Sequence, residues 1–424
     1  MTDTIPLRTT SLLVGAALLF AAGALLGLTL PIRAELEGFP TYLIGLIGSA
    51  FAAGYVAGCL YAPRLVSSVG HIRVFSAMAA LVAVTALLNV LIVSPIAWIL
   101  VRAGTGFAFA GATMIIESWL SESATSASRG RVFARYMIVN LASSVVGQLT
   151  VTLYSPAGFE PFVLVAILAS LALVPTAISS SRAPDPLHEV KLDIRRLIRV
   201  SPIAVAACFG VGLAHGAFGT LAPVYAGAIG LPVYAVALLV AGAIVGGAIM
   251  QAPVGRLSDR LERRWVLAVT SLTGAALALS IHLLDPRDPT TVILMVACLG
   301  GAMHTLYPVA VAHANDRAAE GEYVAIASGL LLVFGAGSTL GPAIAAPIMQ
   351  LAQPSALFLY LAVVYLAIAL HAVWRTRIRP PVEESRPAFA GGADVIQGAM
   401  LGATQETIYL EPHAEEEEAK GSRR

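Results

Sequence analysis

The chain has 424 residues, of which 58% are hydrophobic and only 12% charged, with a formal net charge of +1 and a mean hydropathy of +0.82. That leaves too little polar surface to solvate soluble domains of this size, and the near-neutral balance supplies no electrostatic footprint for nucleic acid. Cys59, Cys208 and Cys298 are scattered through apolar runs, with neither the spacing of a disulfide framework nor that of a metal site.

Crossing a hydrocarbon core takes about 20 apolar residues per helix. Runs of that kind are predicted at 10–32, 42–62, 72–93, 95–116, 132–154 and 160–178. After a polar stretch they resume at 202–229, 232–254, 265–284, 290–312, 323–350 and 354–374. The first run outlasts the apolar part of a signal peptide and is expected to be a retained helix. Abundant Ala, Val, Leu and Gly suit helices packed closely in lipid rather than β-barrel strands. The predicted organisation is a six-helix bundle at 1–178, a cytoplasmic linker at 179–200, a second six-helix bundle at 201–375 and a cytoplasmic tail at 376–424. The linker holds Arg182, Lys191, Arg195, Arg196 and Arg199. The tail is rich in Pro, Gly, Ala and Glu, ends near Glu415–Glu418, and is expected to be disordered.

Lysine and arginine set the orientation. With the N-terminus in the cytoplasm, the cytoplasmic segments before the tail collect 16 of these residues, against Arg33 and Arg287 outside. The expectation is a multi-pass protein of the plasma membrane with both termini cytoplasmic.

Two turns carry related patterns. One reads Gly58-Cys-Leu60-Tyr-Ala62-Pro63-Arg64, followed by Gly70-His71-Ile72-Arg73. The other reads Pro253-Val-Gly255-Arg-Leu257-Ser-Asp259-Arg260, followed by Arg263-Arg264, with Gly255 expected to break the helix. Their equivalent places in two six-helix sets imply an internal duplication, a common transporter design. These turns resemble the cytoplasmic signature of the major facilitator superfamily, Gly-x-Leu-x-Asp-Arg with a following basic cluster. The second copy matches well, whereas the first has Ala62-Pro63 where the aspartate stands. Three further stretches resemble the bacterial YcaD-like branch of that superfamily. They are Glu117-Ser-Trp119-Leu120 with Arg129-Gly130-Arg131, Leu306-Tyr307-Pro308 with His313-Ala-Asn315-Asp316-Arg317, and Gly335-Ala-Gly337-Ser-Thr-Leu-Gly341-Pro342. The resemblance implies an all-α membrane fold of twelve transmembrane helices in two pseudo-symmetric bundles, located in the bacterial inner membrane.

Arg102 is the one cation in the body of a predicted span, so it is expected to face the bundle interior and to have a partner. The stretch Arg102-Ala-Gly104-Thr-Gly106 resembles the superfamily's fourth-span motif, and in that fold the fourth span lines the central cavity. A helix-to-helix anchor and a site for an anionic group or a proton both fit. Glu117, fifteen residues further along the same span, is expected to anchor the cytoplasmic loop or gate near Arg129 and Arg131. Trp119 is expected at the membrane interface. His215 and His304 fall mid-span at positions that line the cavity in the resembled fold. Histidine titrates near neutral pH, so both are candidates for proton coupling, with hydrogen-bonded packing as the alternative. Tyr307, one turn from His304, is a candidate substrate contact. Asn140 and Gln148 add polar groups to the fifth span. Glycines four apart, including Gly23 with Gly27, Gly54 with Gly58, and Gly242 with Gly246, are expected at helix contacts.

No phosphate loop, nucleophile elbow or paired metal ligands stands out, so neither an enzyme nor a cofactor is expected. The function expected is secondary active or facilitative transport of a small solute by alternating access. An anionic or zwitterionic solute is expected, with protons as the expected coupling ion and a monomer as the expected working unit. The alternative is a membrane sensor or scaffold that keeps a transporter fold without transport.

Overall fold

The computed structural model describes residues 7–123, 128–178, 194–318 and 322–377. These residues form helices and no strand. In chain order they are α1 Leu7–Leu36, α2 Thr41–Val69, α3 His71–Leu91, α4 Pro95–Ser123, α5 Arg129–Thr150, α6 Glu160–Leu171 and α7 Leu173–Ile178. Then follow α8 Ile194–Val200, α9 Pro202–Ala228, α10 Val233–Arg260, α11 Arg263–Leu284, α12 Pro289–Asn315, α13 Tyr323–Leu351 and α14 Ala356–Thr376.

Eleven of these helices are long and apolar enough to cross a membrane. The sixth predicted span, 160–178, is divided into α6 and α7 at Ala172. Pro175 accounts for the break. It has no N–H to offer the carbonyl of Leu171 four residues back, and its ring crowds that carbonyl. Of the predicted linker, residues 194–200 form α8, while 179–193 lie outside the described residues, as does the tail from 378.

Local chemistry explains where several helices begin and end. Ser201 caps α9 by accepting from the Ala204 N–H at 3.3 Å, with Pro202 in the first helical position. Asp288 caps α12 in the same way through Thr291 N–H at 2.9 Å. Gly70, with φ of 88°, turns the chain from α2 into α3, a left-handed conformation that glycine adopts without strain. Short connections make consecutive long helices antiparallel. The turns therefore alternate between a basic end, which carries Arg64, Arg73 and Arg260–Arg264, and an opposite end formed by the α1–α2 and α9–α10 turns.

Glycine sets how closely the helices approach. A Cβ on Gly54 would stand 1.9 Å from the Ala103 oxygen, and one on Gly106 would stand 2.0 Å from the Phe51 oxygen, so α2 and α4 touch through their backbones. In the second half α10 and α12 repeat the arrangement, with Gly246 against the Ala297 oxygen and Gly300 against the Ala243 oxygen. The duplication expected from the two turns thus extends to the packing.

Between the halves, α2 packs on α13, α1 on α9 and α5 on α10. Gly45 meets Ala346 and Pro342, Gly48 meets Thr220, and the Tyr42 N–H donates to Gln350 Oε1 at 3.0 Å. Gly227 lies against the Glu35 carboxylate. These contacts sit near the end opposite the basic turns.

Candidate functional site

A cavity of about 470 Å³ lies between the halves, walled by α1, α2, α4 and α5 on one side and by α9, α10, α12 and α13 on the other. Its size falls in the range of small-molecule sites. Most of the wall is apolar, from residues such as Phe51, Met137, Phe218, Met303 and Phe334.

Arg102 is the cation on that wall and is only 9% exposed. Its guanidinium lies 4.3 Å from the centroid of the Phe51 ring, a cation–π contact. The backbone contact at Gly106 brings Phe51 to it. Gly27 lies beside the guanidinium, where a Cβ would come 3.9 Å from it. Among the described residues no carboxylate pairs with Arg102. On the same half, Ser144 Oγ donates to Asn140 Oδ1 at 3.1 Å, and Asn140, Ser144 and Gln148 all line the cavity.

His215 and His304 come together on the opposite wall, their ring centroids 5.1 Å apart and their planes at 76°. His215 Nδ1 is 3.0 Å from the Val211 carbonyl oxygen, and His304 Nδ1 is 3.0 Å from that of Gly300. Tyr307 does not join them on the wall. It is 3% exposed and packs behind Phe334, ring centroids 5.3 Å apart. Gly23 and Gly27 line the cavity, with Gly23 also packed against the Phe109 ring of α4, and Gly54 and Gly58 are helix contacts, Gly58 against Phe107 and Ala110.

The remaining candidates lie toward the basic end. Glu117 is buried and accepts from Tyr136 Oη at 3.0 Å. Arg131 is exposed, and the Arg129 side chain lies outside the described residues. Trp119 is buried against Phe75 and His71, ring centroids 5.7 and 6.3 Å apart, because α3 covers that face of α4. It is a packing residue and not the interfacial one expected. In the first turn Arg64 and Arg73 are exposed, with Arg64 5.8 Å from the Tyr61 ring centroid.

In the second turn Gly255 does not break the helix. It is buried inside α10, which runs on to Arg260. The charges beyond it form a compact cluster. Arg263 Nε donates to Asp316 Oδ2 at 2.7 Å, its NH1 donates to Ser258 Oγ at 3.1 Å, and Asp259 Oδ1 lies 3.6 Å away. Arg264 is buried, pairs with Glu262 and donates to the Arg375 carbonyl at 3.3 Å. Arg260 is exposed. Arg263 and Asp316 each stand in a stretch quoted above, but their pairing at the centre of the cluster was not expected. The i,i+4 spacing of Asp259 and Arg263 signals part of it, but Asp316 arrives from α12 only in three dimensions.

Two helical halves around a central, mainly apolar cavity with a few polar groups form the architecture of a membrane transporter. The sequence profile of the Major Facilitator Superfamily matches residues 12–247 and 228–406, and the chain belongs to that superfamily. A relative from Salmonella typhi, named "Uncharacterized MFS-type transporter YcaD", is 30% identical over 371 residues, covering 86% of this chain and 96% of its own. One of the same name from Escherichia fergusonii is 30% identical over 357 residues, covering 83% and 91%. Among solved structures, the nucleoside transporter NupG superposes with a TM-score of 0.71 at 14% identity, covering 87% of this chain and 97% of its own. A bacterial homologue of the human lysosomal transporter Spinster, in an inward-facing and unoccupied conformation, gives 0.68 at 14% identity, covering 94% and 99%. At these identities the likeness establishes the fold.

Proposed function

We propose that the protein carries a small organic anion across the bacterial inner membrane by alternating access, with Arg102 as the anion's seat. The observation that carries this reading is a buried guanidinium on the cavity wall whose protein partner is the face of a ring. A cation held in a low-dielectric site costs free energy unless an opposite charge joins it, and a solute carboxylate or phosphate would supply that charge. Phe51 stabilises the guanidinium when the site is empty without neutralising it.

Orientation follows from the charge tally. With the basic end in the cytoplasm, the contacts at Gly45, Gly48 and Tyr42 close the outer face, so the cavity is reached from within. Transport then requires the halves to rock about their shared helices, parting α2 from α13 at the outer end. The smooth glycine faces at those contacts suit such a motion. As each half carries its own share of the cavity wall, a monomer suffices.

Binding is the direct test. Purified protein should be stabilised against heat by members of an organic-anion panel, since a ligand of the folded state raises its apparent stability. In Arg102→Gln that stabilisation should disappear while protein yield and basal Tm stay near wild type. Stabilisation by cations alone, or by anions equally in both proteins, would refute the assignment.

A further inference from the structure

The histidine pair specifies what the far end of the solute must carry. We propose that the cavity takes a dipolar organic acid, its carboxylate on Arg102 and a terminal N–H or O–H donor received by His215 and His304. The acid end rests on the reading above; the donor end rests on separate observations.

A carbonyl oxygen only accepts hydrogen bonds. With each Nδ1 3.0 Å from a carbonyl one turn earlier, each Nδ1 must carry the ring hydrogen. In its neutral form each ring is thereby fixed in one tautomer, and its Nε2 is left with a lone pair. Two such acceptors stand on one wall with ring centroids 5.1 Å apart. His215 Nε2 is buried and has no hydrogen-bond partner. A buried acceptor left unpaired carries a free-energy cost, which a donor on the solute would remove.

The two walls differ in kind. Arg102 and the buried, unpartnered Asn140 Nδ2 are donors on the first half, while the histidines present acceptors on the second. Gln148 Oε1 on the first half, and Gln251 Nε2 and Ser338 Oγ on the second, are also buried without partners. They add an acceptor to the first half and donors to the second, so it is the guanidinium and the histidines, not the walls as a whole, that set the two poles. A simple fatty or aryl acid would leave the histidines unpaired, and a simple amine would meet the guanidinium. The Phe51, Phe218, Met303 and Phe334 walls suit an apolar body between the poles.

Three matched probes separate the ends: 4-(hydroxymethyl)phenylacetate, which has acid and donor; 4-methylphenylacetate, which has the acid alone; and 4-methylbenzyl alcohol, which has the donor alone. Affinities are read from the concentration dependence of Tm for full-length protein. The first probe should bind about tenfold more tightly than the second, the worth of one buried hydrogen bond. His304→Leu should abolish that preference, whereas His304→Gln, whose amide oxygen reaches about as far as Nε2, should keep most of it.

Equal binding of the two acids would overturn the histidine assignment and leave the Arg102 reading intact. Equal binding of the first probe and the alcohol would overturn the Arg102 reading and leave the histidines. Binding of none of the three would overturn both. Loss of the preference in the glutamine variant to the same degree as in the leucine variant would replace hydrogen-bond acceptance by another role, such as carrying a proton.

Discussion

Gly106→Ala, paired with Gly104→Ala, tests how the seat of Arg102 is built without touching the guanidinium. A Cβ at 106 would lie 2.0 Å from the Phe51 oxygen and 2.9 Å from the Tyr55 nitrogen. Non-bonded heavy atoms settle near 3.5 Å, so α2 and α4 must separate by about 1.5 Å along that line. Overpacking of this sort costs about 1–3 kcal/mol. It also shifts Phe51, whose ring lies 4.3 Å from the guanidinium. At 104 the nearest atom to a new Cβ is Thr85 Cγ2 at 3.8 Å, an ordinary contact. There alanine should be neutral or stabilise by up to about 1 kcal/mol, its helix preference over glycine. Thermal unfolding of the two purified variants should therefore move in opposite directions or differ by at least the overpacking cost. Anion affinity should fall only in Gly106→Ala. Indistinguishable melting and binding in the two variants would refute the close-contact account.

Two further outcomes concern the basic end. Arg263 and Asp316 are 3% and 10% exposed, so Arg263→Ala, which strands the carboxylate, should cost about 3–5 kcal/mol, seen as a lower Tm and lower yield. Replacing both by apolar residues should recover part of the loss. Tyr136→Phe removes one donor from buried Glu117 and should cost about 1–3 kcal/mol in thermal unfolding, with anion binding unchanged because neither residue reaches the cavity wall.

The helices were legible in the sequence because runs of about 20 apolar residues are what a span requires. The divided sixth segment was less so. Its composition satisfies a span, and only the reach of Pro175 back to Leu171 explains the break. Arg102 could be singled out because a charge within an apolar run stands out by itself. That its partner is Phe51 could not, since the contact depends on the backbone approach at Gly106. His215 and His304 are 89 positions apart in the chain, so their pairing exists only once α9 and α12 are packed. Tyr307 shows the limit of spacing arguments. Three residues beyond His304, it turns behind Phe334 instead of onto the wall. Trp119 shows that a composition rule for interfaces yields when a neighbouring helix, here α3, covers the residue.

Alternating access itself is tested most directly by fastening the outer contact. A Cβ on Gly45 would lie 2.4 Å from the Ala346 Cβ. A disulfide separates these atoms by about 3.8 Å, so Gly45→Cys with Ala346→Cys should cross-link after the helices ease apart slightly. In proteoliposomes, flux of an anion that stabilises the purified protein should stop on oxidation of the pair and return on reduction, with each single variant unaffected by oxidant. Undiminished flux through fully cross-linked protein would contradict the account.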